Sequence, residues 1–485
     1  TPNTGELMPI NSFLYPGAKV VPPFTVANSL RLDGSSSNLS RTKGTSDSTK
    51  IGTYSWWIKN SKFSGQNLIN CGDAFANSSA VYISSSNTLT VFSRISNSNV
   101  LVLETDREFR DPSAWHNIVV AIDTTQGTAS NRVKVYVDGV QQTSFSTETY
   151  PDQNADLRFF TSSETEKISS STFESSGYFG GYMCEVVKVD GQALAPTSFG
   201  QFNTDTPTVW EPIDVSGLTF GTNGYYLDFE DSSNLGNNVS GGTDFTENNI
   251  AATDQSTDTC TNNFATLNPL VVIGNTGQTY EEGNLTFGAS GNNWTHTNST
   301  IGASQGKWYA EFRIDTLQSS TGYGNLGITS IENITNGPWL STEANSAGVG
   351  LDHRTGQSDI RSAASVVTSN MGDFSNGDII GLAVDMDNKA LYIHKAGTYY
   401  QISSVTGVPT SGSSKTGAVT IPAGIETFVF TIGGYSTDFK GTFNFGSPPH
   451  SISSGNADAN GFGNFEYAVP SGYFALCTKN LAEFG

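Results

Sequence analysis

The chain is short of most of what specialised chemistry requires. Its four cysteines, Cys71, Cys184, Cys260 and Cys477, show no CxxC spacing and have no histidine close in sequence. A zinc site or a disulfide framework is therefore not expected, and the thiols are read as unpaired, structural and apolar in behaviour. Basic residues number 24 against 45 acidic ones, a net charge of −21, which argues against a nucleic-acid partner because phosphate binding needs clustered Lys and Arg. No run approaches the roughly 18 apolar residues of a membrane span, so no membrane insertion is expected. The first residues hold no charged stretch followed by an apolar one, and no signal peptide is expected in them.

Catalytic signatures are equally thin. The five histidines, His116, His296, His353, His394 and His450, have no Ser or Cys elbow and no HExxH arrangement around them. Glycan hydrolysis needs two carboxylates flanking one bond, and an alternating Glu-x-Asp-x-Glu strand is lacking. The nearest approaches, Asp228-Phe229-Glu230 and Asp385-Met386-Asp387, both fall at strand ends beside turns, where paired acids are commonly just solvated. No enzyme activity is expected.

What the sequence does contain is Gly, Ser, Thr and Asn, with 11% aromatic and only 14% charged residues. This composition suits short strands joined by polar turns. At 485 residues, two or three domains are expected. Every long apolar pattern has a period of two, so the fold class is all-β.

The most informative stretch is Trp115 to Asp123, an almost unbroken β-branched run, followed after a polar loop by Val133 to Val137 and then Asp138-Gly139. Asp-Gly tolerates the positive φ angles of a tight type I′ turn, so two antiparallel strands are expected here. Tyr54-Ser55-Trp56-Trp57-Ile58-Lys59, Leu68 to Gly72 and Gly181 to Gly191 supply further strands. Together, in this order, these pieces resemble laminin G-like domains of the concanavalin jelly-roll class, over roughly residues 25 to 230. The resemblance implies a two-sheet sandwich and says little about function. Leu157 to Phe160 reads as another strand, Thr161 to Ser176 as a Ser-rich loop, and Pro196 to Phe202 as a short helical turn capped by Thr197 or Ser198.

A second periodic set opens at Gly283 to Phe287. It continues through Gly306-Lys307-Trp308-Tyr309-Ala310-Glu311, Asn325-Leu326-Gly327-Ile328, Gly377-Asp378-Ile379-Ile380-Gly381, and a hairpin ending in Ala390 to His394. This order resembles a SPRY domain over roughly 280 to 447, with Lys395-Ala396-Gly397 in place of the usual Asn-Gly turn. The expected organisation is an extended Pro-rich arm over 1–27, a laminin G-like sandwich over 28–230, an interdomain connection over 231–279 with one docked apolar knot at Phe264 and Leu267, a SPRY-like sandwich over 280–447, and a C-terminal segment over 448–485.

Joined through Asp258 to Pro269, the two modules resemble a tandem in virion structural proteins of tailed bacteriophages, particularly marine ones. Asn11 to Gly17 and Pro470 to Leu481 belong to the same pattern. The resemblance implies a non-enzymatic protein on the exterior of the particle, in a tail-fibre, receptor-binding or capsid-decoration role. Its implied partners are other virion proteins, further copies of itself with a trimer favoured, and a host surface glycan. The alternatives are a lectin-like cell-surface module or, behind it, a glycan-cleaving enzyme. Binding candidates are the loop aromatics Trp294, Tyr323 and Trp339 with His353, since aromatic faces stack on sugar rings. Phe13, Leu14 and Tyr15 are the candidate oligomer contact. No cofactor motif is present. Calcium, known in the laminin G-like class, is the candidate cation for the oxygen-rich loops Asp33 to Asn38 and Asn70 to Asp73, without EF-hand spacing in either.

Overall fold

A computed structural model describes residues 24–271, 273–274, 277–289, 294–317, 323–333, 349–354, 357–363, 365–369, 371–372, 374–435 and 439–485. Among the described residues the chain is nearly all β, with 46% strand and 6% helix, and is built from β-sandwich sheets.

In the first sandwich, the core of one sheet is laid down by Trp115–Asp123, Ile51–Asn60 and Gly180–Asp190, paired antiparallel in that order. The Asp138-Gly139 turn forms as its residues dictate: φ is +51° and +76°, and Val140 pairs with Val137 across it. The facing sheet runs Phe145–Thr149, Ser98–Glu108, Thr88–Ile95, Asn77–Ile83, Gln66–Ala74, Thr165–Ile168, Asn38–Thr42 and Thr246–Asn248. Alternation sends Ile69, Cys71, Val81, Ile83, Leu89, Val91, Leu101 and Leu103 into the space between the sheets, where all are fully buried. Their alternate neighbours must therefore face outward.

Several local expectations change. Leu157 to Phe160 is a turn closed by Phe160 N–H to Leu157 O, not a strand; Leu157, Phe159 and Phe160 plug the core from a loop. The Ser-rich excursion contains the strand Thr165–Ile168, which brings the buried Glu166 between Arg41 and Lys188. The turn at Pro196–Ser198 is a short 3-10 helix started by its proline, without a side-chain cap. Within the expected connection, Thr246–Asn248 and Gln255–Ser256 extend the two sheets of the first sandwich, and Leu235 and Phe245 join its core.

The second core lies between a sheet centred on Phe428–Tyr435 and one centred on Lys307–Leu317. The Ala396-Gly397 turn has φ of +51° and +77°, so alanine is held in the left-handed conformation that the usual asparagine adopts more readily. Between the two cores, Lys59 Nζ donates to Asp258 Oδ2 (2.8 Å), Asn263 Oδ1 (2.7 Å) and Phe264 O (2.9 Å). Tyr182 Oη donates to Gly283 O at 3.1 Å. The C-terminal segment returns to this junction, where Phe264 bridges Cys477 and the helix Thr478–Phe484 follows.

Candidate functional site

The outward rows of the facing sheet make a groove. Register places Asn70, Ala80 and Phe92 side by side across three strands, with Asn67 beside Tyr82 and Ser78 beside Arg94 and then Asn99 in the neighbouring rows. Ala80 is the small member of this lattice, and the dip above it opens into a cavity of about 350 Å³. Phe75 and the loop residues Ser171, Phe173, Glu174 and Ser176 also line it.

The walls are ordered. The rings of Phe75 and Phe173 meet edge to face with centroids 5.6 Å apart, and Phe75 remains 52% exposed. The Arg94 guanidinium sits over the Phe75 ring, and its Nε donates to Asn99 Oδ1 at 2.9 Å. Asn70 Oδ1 accepts from Thr172 N (3.3 Å) and Thr172 Oγ1 (2.8 Å). Open aromatic faces beside fixed amides and one guanidinium form a surface that can stack on a sugar ring and hydrogen-bond its hydroxyl groups.

The expected binding residues lie elsewhere. Trp294 and Tyr323 do not sit in loops; each opens a strand, and both are register partners of Tyr435. The Trp294 ring stacks on His296 at 5.7 Å and lies 5.9 Å from that of Tyr435. His353 is in the next strand, opposite Gly324. Trp339 falls outside the described residues, as do Phe13, Leu14 and Tyr15.

A second cavity, of about 480 Å³, is lined by Glu185, Asp214, Asp228 and Glu230 together with Phe24, Phe220 and Tyr226. Sequence reading reached Asp228 and Glu230 but missed Glu185, whose signal was an acid inside an apolar strand. A bulge between Cys184 and Val187 holds Glu185 at φ +50°. Its carboxylate is 5% exposed and accepts from Tyr226 Oη at 3.0 and 2.9 Å. Burial, then the neighbouring Asp228, Glu230 and Asp214, push it up to about 8 against the opposing Tyr226 bond. The other carboxylate pair is structural: Asp385 is buried 3.1 Å from Lys307 Nζ, and Asp387 Oδ1 accepts from Gly306 N at 2.7 Å.

Among the described residues, no group of three or more His, Cys, Asp or Glu side chains could hold a metal ion. In the Asp33 loop the carboxylate oxygens already accept from Ser35, Ser36 and Ser37. Against the pull of burial, those backbone bonds hold Asp33 below the usual carboxylate range. Asp73 Oδ1 is taken by Thr165 N at 3.0 Å. All four cysteines are free, and Cys184 Sγ and Cys260 Sγ lie 3.6 Å apart. No helix among the described residues is long and apolar enough to cross a membrane.

No curated protein sequence matches the chain. Among solved structures, it is similar to the SPRY domain of human HERC1, at 13% identity and a TM-score of 0.28, covering 36% of this chain and 96% of that one. It is similar to mouse laminin α1 chain domains LG4-5, at 9% identity and a TM-score of 0.29, covering 86% and 85%. It is also similar to domain 4 of AbnA, an extracellular arabinanase from Geobacillus stearothermophilus in complex with arabinotriose, at 16% identity and a TM-score of 0.26, covering 35% and 73%. Residues 33–196 match the family model described as the concanavalin A-like lectin/glucanases superfamily, so the first sandwich carries a domain of that superfamily.

Proposed function

We propose that the chain is a non-enzymatic adhesion protein that binds glycan through the groove over Ala80. The observation that carries this is the pairing of accessible aromatic faces, Phe75 and Phe173, with hydrogen-bonding side chains fixed by their own partners. Such a wall loses little freedom on binding, so its contacts count towards affinity. Affinity chromatography of a polysaccharide panel on immobilised protein tests it: retention by the wild type should be lost in Phe75→Ala/Phe173→Ala. Equal retention by that variant would overturn the assignment of the groove.

The biological setting proposed is the exterior of a tailed-phage particle, with a SPRY-like second sandwich and a homo-oligomer, a trimer by preference. The support for this is the sequence resemblance of the tandem joined through Asp258 to Pro269. Mass spectrometry of purified virions and light scattering on the isolated chain test it. A stable monomer that no virion contains contradicts it.

Glycan cleavage is the competing reading, and the acidic cavity gives it chemical content. A protonated Glu185 beside Asp228 and Glu230 resembles an acid paired with a base. Binding without turnover is nevertheless the proposal, because Glu185 is nine-tenths buried and spends its carboxylate on Tyr226. A reducing-end assay decides, and turnover abolished by Asp228→Asn or Glu230→Gln would prove the non-enzymatic reading wrong.

A further inference from the structure

We infer that the groove selects acidic sugars, and that Arg94 is the residue that reads their carboxylate; this rests on the glycan-binding reading above. Arg94 is the sole Lys or Arg in the lining of the cavity. Its Nε is spent on Asn99 and its plane is anchored over Phe75. Among the described residues, neither of its Nη groups has a hydrogen bond, and no carboxylate pairs with it. Three other cations of this sandwich do meet carboxylates within it: Arg41 and Lys188 meet Glu166, and Arg158 meets Glu164. A guanidinium fixed at one edge and open at the other presents the parallel donors that match a carboxylate in bidentate geometry.

Asn70 adds an independent indication. It is 4% exposed and lines the cavity. Both Thr172 bonds go to its Oδ1, so Nδ2 is left as an oriented donor with no partner among the described residues. Donors therefore predominate among the unspent polar groups of the floor, and a ligand rich in acceptors fits them. The one carboxylate of the lining, Glu174, is on an exposed loop and accepts from Ser176 Oγ at 2.9 Å. The aromatic faces then hold the sugar ring while Arg94 and Asn70 take the acid group.

The test is an array of uronate- and ulosonate-containing oligosaccharides printed beside the methyl esters of the same compounds and a neutral panel. It is probed with the wild type, Arg94→Gln, Arg94→Lys and Ala80→Trp. The expected result is wild-type binding at least about 10-fold stronger to acids than to their esters, as for a charge-assisted bidentate pair. That preference should disappear in Arg94→Gln, fall partway in Arg94→Lys, and vanish with all binding in Ala80→Trp. Arg94 is partly exposed, so its variants should melt with the wild type, which separates lost recognition from lost folding. Equal binding of acids and esters, or binding of neutral glycans alone, overturns the inference while glycan binding stands. Binding to no glycan at all overturns both.

Discussion

The guanidinium carbon of Arg94 stands 4.2 Å from the centroid of the Phe75 ring, so the most exposed aromatic of the groove also positions its one cation. Phe75→Leu keeps apolar bulk but removes the face. It should weaken oligosaccharide binding by about 3-fold to 10-fold, the scale of a partly exposed cation–π contact plus lost stacking. The melting temperature should hardly move, because the side chain is half in solvent. Titration calorimetry checks this, and wild-type affinity in Phe75→Leu contradicts it.

Two buried glutamates should give the protein opposite pH responses. Glu166 accepts from Arg41 Nε at 2.8 Å and Lys188 Nζ at 3.2 Å. Burial alone would raise its pKa, but the charges of Lys188, Arg41 and Lys43 hold it at about 2. Its folded value lies below its unfolded one, so the stability it contributes is present above about 4.5 and is lost as pH falls towards 2. Glu166→Gln should flatten that acid limb and cost about 3–5 kcal/mol at neutral pH, as for a broken buried pair.

Glu185 runs the other way. Its folded value of about 8 exceeds the unfolded one, so stability declines as pH rises from about 4.5 to 8 and then levels off. Glu185→Gln should remove this decline and make the variant more stable than the wild type at pH 8. Urea midpoints measured across pH read both effects, and parallel curves for wild type and variant would count against the assigned environments.

The bond from Lys59 to Asp258 ties the first sandwich to the segment that leads into the second, across 199 residues. Lys59→Met leaves a buried carboxylate without its cation and should cost about 3–5 kcal/mol. Asp258→Asn in the same chain should recover part of that loss. A double variant no better than the single one would show that the charge pairing is not what holds the junction.

Ala396 occupies a left-handed position at φ +51°. Ala396→Gly should raise the melting temperature slightly, by relief of about 1 kcal/mol of backbone strain less the added chain entropy. A lower melting temperature contradicts this account of the hairpin.

Which parts of the fold the sequence revealed depends on the range of the signal. Trp115–Asp123 and Asp138-Gly139 are specified by neighbouring residues, and both appear as read. Phe159 and Phe160 looked like strand because burial, not extension, makes a residue apolar. Thr165–Ile168 looked like loop because its buried Glu166 is polar by composition and paired only in three dimensions. The groove was hidden for the same reason. Ala80, Phe92 and Arg94 are unremarkable along the chain, Asn70 reads as the edge of an oxygen-rich loop although it lies inside the strand Gln66–Ala74, and only register sets the four in adjacent rows. Trp294 stood out because it is large and sits among glycines and asparagines, yet its ring is taken up by His296 and Tyr435.

Ala80 gives the decisive comparison, since it is 4% exposed at the floor of the cavity and a bulky side chain there fills the dip from the outward face. Wild type and Ala80→Trp should be measured side by side for oligosaccharide binding on one glycan array, with thermal melts of both. Glycan binding through the groove predicts retention by the wild type and none by Ala80→Trp at closely similar melting temperatures. Equal retention by the two, or none by the wild type, contradicts it.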